Sequence, residues 1–383
     1  MKTQLKSLKF LFTFCFIFFI GCRKQDSHPP QNCFSPDPEN ISLQKRTNSG
    51  SATVTVFATA LNNPRGLKFG PDCKLYVAEA GLGGTENSDK LCPQLVPPDG
   101  PYLGSTTGGR ISKFGSDGVR ITVTDKLPTA ISHFGDILGP SDVAFIGNTL
   151  YALLFAGCGH GVPTVPTSVV KMKSDGTFTV IADLGAWRVS HPVAHPPTDD
   201  FDAEGAWYNM ISVGNDLYVV DANHGEVVKV TTSGVITSVA DLSAKYGHII
   251  PTALAYHGNL YVGNLGLFPF ADGSSNIYKI TPGGQTKIVE TGLTAILGLV
   301  FDNHDRIYVL ETTTGKRNGN EYTTPGTGKV VRVNPDGSKD EIATGFSNPT
   351  SMAYGPDGNL YVLNWGFAGV AGSGEILKVT LDK

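Results

Sequence analysis

Most of the short motifs that identify common catalytic centres are missing from this chain. It contains no Gly-x-Ser-x-Gly elbow, no phosphate-binding glycine loop and no His-Glu-x-x-His helix. These absences remove the usual sequence signatures of serine hydrolases, phosphate-binding loops and zinc peptidases. Function therefore has to be inferred from how the remaining residues are arranged.

Long hydrophobic runs are also missing. The apolar stretch Phe10–Ile20 has eleven residues, is broken by Thr13 and is too short to span a bilayer. Three lysines precede it, and this order of basic and apolar residues predicts a secretory signal peptide over residues 1–21.

The end of that segment, Phe19-Ile20-Gly21-Cys22, resembles a bacterial lipobox, with Phe19 where leucine is usual. This pattern predicts that Cys22 becomes a lipidated N-terminus; ordinary secretion with cleavage elsewhere is the alternative. Residues 22–51 are rich in Ser, Pro, Asn and Gln and are predicted to be a flexible tether. We therefore expect an extracytoplasmic lipoprotein, anchored in the bacterial outer membrane and facing the periplasm or the cell surface.

The chain has slightly fewer basic than acidic residues. The chain has 30 Lys and Arg against 34 Asp and Glu, a formal net charge of −4. Without residues 1–21, which hold three lysines and no acid, that charge becomes −7. A mildly acidic body disfavours binding to nucleic acid or anionic lipid. We expect a monomer that touches the membrane only through its lipid anchor.

What the chain does contain is a repeated three-residue phrase with a central tyrosine. The six copies are Leu75–Val77, Leu150–Ala152, Leu217–Val219, Leu260–Val262, Ile307–Val309 and Leu360–Val362. Each copy follows an apolar run and a Gly, Asp or Asn turn, and a second such pair of runs comes after it. Alternating runs joined by these turns predict two β-hairpins per repeat.

Two hairpins make a four-stranded blade, and six blades set radially make an all-β, six-bladed β-propeller. The propeller is predicted to span residues 52–383 as one domain. The chain ends just after the third strand of the sixth blade. We therefore predict that Val54–Thr59, which precedes blade 1, completes the sixth blade and closes the ring.

The strand order assigns every loop to one face. Turns from first to second and from third to fourth strand lie on one face, the bottom, and are short. Loops from second to third strand, and loops between blades, lie on the other face, the top. The long insertions are predicted to lie there: 80–109, 125–139, 156–167, 184–206, 265–275 and 312–328. One elaborated face on a rigid scaffold indicates a binding face.

Four cysteines remain after Cys15 leaves with the signal peptide and Cys22 takes the lipid. Cys92 and Cys158 fall in top loops of adjacent blades, whereas Cys73 falls in a bottom turn and Cys33 in the tether. In an oxidising compartment this placement predicts the disulfides Cys92–Cys158 and Cys33–Cys73, with free thiols as the alternative.

The residue three positions after each tyrosine ends a second strand at the top of the central channel. Five of these six residues carry carboxylates or amides, the exception being Leu154. Such oxygens suit Ca²⁺ or another divalent metal. We consider a metal site formed by Glu79, Asp221, Asn264 and Glu311. The structural alternative is that these side chains cap loops, with Arg65 neutralising Glu79 across the hairpin.

Other polar or aromatic residues on the top face are candidates for contacting a ligand. We expect Trp207 and Tyr208 to begin blade 3 beside the channel, and Asp142 to enter from the neighbouring blade. The full candidate set for ligand binding is Arg65, His133, Asp142, Trp207, Tyr208, His224 and Asn364.

The stretches Asn63–Leu67 and Leu75–Gly81, with Leu265–Phe270 after the fourth tyrosine, resemble the ScyD/ScyE family. The resemblance covers roughly residues 52–380 and implies a secreted six-bladed propeller with NHL-like repeats, but no reaction. Blade 3 departs from the family pattern at Ala206–Asn209. A more distant likeness to gluconolactonase (SMP-30-type) propellers implies a channel metal held by Glu, Asn and Asp.

These observations lead to one main expectation and two alternatives. The main expectation is a lipid-anchored propeller that binds a small molecule or a protein partner on its top face. The first alternative is a metal-dependent hydrolase of the gluconolactonase type. The second is a quinone-dependent sugar dehydrogenase, because fold alone does not choose among these activities.

Overall fold

The computed structural model describes residues 45–46, 52–92, 100–315 and 322–382. Two strands precede the first blade: β1 (Lys45–Arg46) and β2 (Thr53–Leu61). Blade 1 contains β3 (Pro64–Phe69), β4 (Leu75–Glu79), β5 (Glu86–Asn87), β6 (Leu103–Phe114), β7 (Arg120–Ile131) and β8 (Ile137–Leu138). Blade 2 contains β9 (Pro140–Ile146), β10 (Thr149–Leu154), β11 (Ser168–Met172) and β12 (Phe178–Asp183). Blade 3 contains β13 (Trp207–Val213), β14 (Asp216–Asp221), β15 (Glu226–Thr231) and β16 (Ile236–Asp241).

Blade 4 contains β17 (Pro251–Tyr256), β18 (Leu260–Asn264), β19 (Ser275–Ile280) and β20 (Thr286–Leu293). Blade 5 contains β21 (Ile296–Phe301), β22 (Ile307–Glu311), β23 (Gly328–Val333) and β24 (Lys339–Phe346). Blade 6 contains β25 (Ser351–Tyr354), β26 (Leu360–Asn364) and β27 (Gly374–Thr380). All pairings are antiparallel, and the all-β, six-bladed propeller predicted from the repeats is confirmed.

The sixth sheet takes its outer strand from the start of the propeller. β2 pairs with β27, with Thr53 opposite Thr380 and Leu61 opposite Gly374. Val54 and Leu61 of β2 are buried. On its other side β2 pairs with β1, which lies within the segment predicted to be a tether.

Each repeated tyrosine occupies the same register position in its blade. The residues opposite the six tyrosines on the first strands are Lys68, Ala144, Ile211, Ala255, Val300 and Ala353. The periodicity read from the sequence is therefore a structural register, and it allows equivalent positions to be compared from blade to blade.

The core lies between neighbouring blades rather than at the axis. Leu67 of blade 1 packs against Leu363 of blade 6, and Leu310 of blade 5 packs in one cluster with Met352 of blade 6. Full burial of such a side chain contributes about 1.5–3 kcal/mol. Hence every blade depends on the next for its apolar contacts.

Hydroxyl groups near the start of the first strands also join neighbouring blades. Ser141 donates to the carbonyl of Trp207, Thr252 to that of Ile296, and Thr350 to that of Pro64. The last of these bonds links blade 6 to blade 1. Innermost strands have an unpaired edge, and these hydroxyls satisfy some of its carbonyls.

Several predicted top loops contain regular structure. β6 and β7 extend the blade 1 hairpin well above the predicted limit at Arg110, and β5 and β8 pair with this extension. The 184–206 loop contains a helix, α1 (Leu184–Ser190), capped by the Asp183 side chain. A short helix α2 (Ser243–Tyr246) precedes blade 4, and a 3₁₀ turn covers Cys158–His160. Among the described residues, no helix has the length and hydropathy to cross a membrane.

A disulfide joins the top loops of blades 1 and 2. Cys92 and Cys158 are bonded, with their Cα atoms 6.0 Å apart. Cys73 is also disulfide-bonded, whereas its predicted partner Cys33 lies outside the described residues, as do Cys22 and the signal peptide. The first bond links two loops that also meet through the Ser88 hydroxyl, which donates to the Cys158 carbonyl at 2.6 Å.

Candidate functional site

The polar residues that end the second strands hold the loops leading into their own blades. In five blades this side chain bonds the backbone of a residue shortly before the first strand. The pairs are Asn62–Glu79, Ala206–Asp221, Ile249–Asn264, Thr294–Glu311 and Ser347–Asn364. These bonds are the loop caps described by the structural alternative, and they give the buried polar groups the partners they need.

Glu79 is one of the most heavily hydrogen-bonded of the predicted metal ligands. Its carboxylate accepts from the Arg110 guanidinium at 2.5 and 3.0 Å and from the Ser112 hydroxyl at 2.5 Å. The expectation that Arg65 neutralises Glu79 is wrong, because Arg110 on the adjacent third strand does so. A carboxylate with this many donors has little capacity left for a metal.

The predicted metal set is not assembled. The Asn264 amide oxygen accepts from the Asn276 N–H at 2.7 Å, and Glu311 lies 3.6 Å from the Lys329 ammonium. Burial raises the pKa of Glu311, which Lys329 partly opposes. In the described part of the chain, Glu79, Asp221 and Glu311 are not among residues whose ligand atoms converge. The physical reason is that each side chain turns toward its own blade.

Asp221 belongs to a buried charged network at the top of blade 3. Its carboxylate lies 3.1 Å from Nδ1 of His224 and 3.4 Å from Nε of Arg188, and Arg188 also pairs with Glu226. All four side chains are at least nine-tenths buried. Burial raises the pKa of Glu226, and the charge of Arg188 counteracts part of that rise. Arg188 was not found from the sequence because it lies on α1. This helix is in an inter-blade loop and is not part of the repeated pattern.

Arg65 and Tyr208 close the top of the channel. Arg65 donates to Asp136 at 2.8 Å and to the Ile137 carbonyl at 2.5 Å. The Tyr208 hydroxyl reaches the Thr350 carbonyl of blade 6 at 3.4 Å, across the axis from its own blade 3. Burial raises the pKa of Tyr208 to about 12, although Arg65 acts in the opposite direction. These two predicted ligand contacts therefore form a plug.

Asp142 lies lower in the channel and is fully buried. Its oxygens accept from the Asn209 amide at 2.7 Å and from the backbone N–H groups of Met210 and Val143 at 2.9 and 2.8 Å. The Lys68 ammonium is more distant, at 3.3 Å. Burial raises the pKa of Asp142, and Lys68 lowers it in part.

The remaining predicted ligand contacts separate into different environments. Trp207, predicted beside the channel as a ligand contact, is fully buried in the core between blades 2 and 3 and donates to the Glu204 carbonyl. His224 is buried against Asp221, and the ring of Phe201 meets it edge-on. His133 alone of these three is exposed, beside Phe134.

Sequence analysis also missed a buried histidine in the disulfide-linked loop. His160 Nε2 lies 3.0 Å from Asp202, and Nδ1 lies 2.9 Å from the Ala156 carbonyl and 3.6 Å from Glu204. Burial by itself lowers the pKa of His160, but Asp202 and Glu204 together raise it to about 10. The protonated ring therefore ties the 156–167 loop to the 184–206 loop.

This arrangement predicts a pH dependence of stability. The His160 contribution is complete below its unfolded pKa of about 6.5 and is lost as pH rises through about 10. Between these values the unfolding free energy should fall by roughly 1 kcal/mol per pH unit from this group. Urea unfolding at several pH values would measure it; His160→Gln should flatten the slope. Parallel slopes for both proteins would contradict the prediction.

One group of potential metal ligands does converge in the described residues. His248 lies 3.8 Å from Asp199 and 3.6 Å from Asp200, in the two loops that flank blade 3. Asp199 is largely exposed and Asp200 is half-exposed. Burial raises the pKa of Asp200, and His248 opposes that rise. Asp199 and Asp200 are adjacent in the sequence, whereas His248 comes from a separate loop.

The top face also carries an aromatic platform, which we define as Phe268, Phe270, Tyr322 and Phe367. Its members come from the top loops of blades 4, 5 and 6. The rings of Phe268 and Tyr322 are parallel within 2°, with centroids 5.9 Å apart, and are 49% and 55% exposed. Phe270 lies buried beneath them and meets Tyr322 edge-on at 4.9 Å. Exposed aromatic groups of this kind mark binding surfaces.

The fold is similar to solved sugar-metabolism propellers. A gluconolactonase from Xanthomonas campestris superposes with a TM-score of 0.51 at 10% identity, covering 90% of this chain and 96% of that one. A glucose dehydrogenase superposes with a TM-score of 0.52 at 13% identity, covering 86% and 100%. No protein-family model and no curated protein matches the sequence. At these identities the likeness shows the propeller fold alone.

Proposed function

We propose that this chain is an extracytoplasmic, lipid-anchored propeller of the ScyD/ScyE type that binds a ligand or protein partner on its top face. The observation that carries the proposal is the aromatic platform. Two half-exposed, parallel rings offer apolar area with few rotatable bonds, and aromatic residues contribute strongly to binding. The platform carries no charge of its own, so its partner presents an apolar ring or side chain.

Two further observations support a binding face over a channel-centred active site. The disulfide Cys92–Cys158 and the His160 ion pairs restrain the long top loops of blades 1 and 2. Restraint of this kind lowers the entropy lost when loops bind a partner. The residues predicted to hold a channel metal, in contrast, bond to side chains and backbone groups of their own blades and adjoining loops.

Metal-dependent hydrolysis of the gluconolactonase type is the second candidate. The group Asp199, Asp200 and His248 favours it, because carboxylate and imidazole ligands suit a divalent cation such as Zn²⁺. Quinone-dependent sugar oxidation has only the fold likeness in its favour, and a fold does not imply a function.

Site-specific photocrosslinking in intact cells tests the binding proposal. We expect a benzoylphenylalanine at position 268 to give a discrete adduct, and the same group at Val235, an exposed position in a bottom turn, to give none. Replacing Phe268 and Tyr322 by serine should weaken binding of the purified adduct partner by at least about 30-fold, since even one such contact is worth roughly 2 kcal/mol.

Two outcomes would contradict the proposal. One is equal crosslinking at positions 268 and 235, which indicates non-specific contact. The other is gluconolactone hydrolysis that requires Ca²⁺ or Zn²⁺ and is lost in His248→Ala while the aromatic variants remain active. That second result would establish the hydrolase instead.

A further inference from the structure

The channel beneath the Tyr208 plug is a separate cavity that opens at the bottom face. Its volume is about 330 Å³, within the ~300–1,000 Å³ typical of ligand pockets. Its wall is built from first strands and from bottom turns that include Gly147 and Gly214. The lining reaches upward to Asn209 and Ser351, below the level of the plug.

A single charged residue enters this wall. The six positions opposite the repeated tyrosines all line the cavity, and five of them are alanine, valine or isoleucine. The sixth is Lys68 of blade 1. A propeller that needed only to fill its centre would place an aliphatic residue there as well, as the other five blades do.

The bonds around Lys68 leave part of its ammonium group available. Asp142 lies 3.3 Å away, but its two oxygens already accept three shorter bonds from Asn209, Met210 and Val143. An ammonium group has three donors; the Lys68 side chain is 26% exposed, and Lys68 is one of the residues that line the cavity. The cavity therefore offers a partly desolvated cation in a wall whose other lining residues are uncharged.

We propose that this bottom cavity binds a small amphipathic carboxylic acid. The carboxylate pairs with Lys68, and the hydrocarbon part packs against the aliphatic ring formed by the other five positions. A charge-assisted bond in a partly buried site is stronger than one on an open surface. This site is on the face opposite the aromatic platform, so it is independent of the proposed top-face function.

Isothermal titration with octanoate, octanol and octylamine tests the proposal. The protein used is the Cys22→Ser variant, which lacks the predicted lipid attachment site and can be handled without detergent. This variant keeps all described residues. We expect 1:1 binding of octanoate, with octanol weaker by about tenfold or more, because a bond to a charged group is lost. Octylamine should bind still more weakly, because its charge repels Lys68.

Variants assign the binding to this site. Lys68→Met should weaken octanoate by about tenfold and leave octanol unchanged, whereas Lys68→Arg should retain octanoate. The matched control is Lys113→Met, since Lys113 has the same 26% exposure and one aspartate neighbour on the outer part of blade 1. Ser212→Trp, which fills the cavity, should abolish binding of both ligands.

The proposal is overturned by absence of octanoate binding at millimolar concentration, by equal affinities for octanoate and octanol, or by unchanged octanoate affinity in Lys68→Met. If Lys68→Met fails to fold because Asp142 loses its counter-charge, the double variant Lys68→Met/Asp142→Asn is used. Its octanoate affinity is then compared with that of Asp142→Asn alone, with the same expected loss.

Discussion

Deleting residues 52–61 is expected to abolish cooperative folding. The deletion removes β2, which leaves the edge of β27 unpaired and takes Val54 and Leu61 out of the core clusters of blades 5, 6 and 1. Loss of these two side chains alone costs about 3–6 kcal/mol, a large part of the ~5–15 kcal/mol that stabilises a typical domain. Thermal unfolding followed by circular dichroism measures the effect.

Two controls distinguish loss of the strand from loss of chain length. Val54→Asp should destabilise strongly, because Val54 is 1% exposed, whereas Thr53→Asp, at the exposed neighbouring position, should change little. A synthetic peptide of residues 50–63, added to the deleted protein, should restore a cooperative melt. An unchanged melting temperature in the deleted protein would refute a closing role for β2.

Arg188→Met is expected to lower the unfolding free energy by about 3–5 kcal/mol. The substitution leaves Glu226 and Asp221 as buried carboxylates without their cation, and breaking one partner of a buried ion pair has this cost. Chemical denaturation in urea measures the change. The double variant Arg188→Met/Glu226→Leu should recover part of it, because one uncompensated charge is removed.

The matched control for that substitution is Arg332→Met. Arg332 pairs with Asp340 at 2.5 Å, but both side chains are substantially exposed on blade 5. Exposed pairs typically contribute about 0–1 kcal/mol. If both arginine variants lost the same stability, burial would not be the source of the Arg188 effect.

The repeat phrases were sufficient to predict the architecture, because a β-strand side chain alternates between faces and the tyrosine fixes the register. The same logic placed Cys92 and Cys158 on one face, where the structure joins them. Both predictions depended on the regular spacing of strands and turns along the chain. This spacing can be read from local sequence patterns.

The candidate site was predicted less well, because it depends on which side chains turn toward each other. Glu79 was assigned to a metal, yet its partner Arg110 lies on the adjacent strand and is reached only across the blade. Trp207 was expected to contact a ligand beside the channel, yet its side chain is buried between blades 2 and 3, against a helix that the other blades lack at this position. The one signal that could have been read earlier was Lys68, which departs from the aliphatic residues at its equivalent positions.

The bond from Tyr208 across the axis to Thr350 has a kinetic consequence. A molecule bound in the proposed lower cavity would exchange through the bottom face, because Tyr208 crosses the axis above it. Occupancy of the aromatic platform would leave that exchange rate unchanged. If both proposals hold, the propeller carries one binding site on each face, and the two sites are loaded separately.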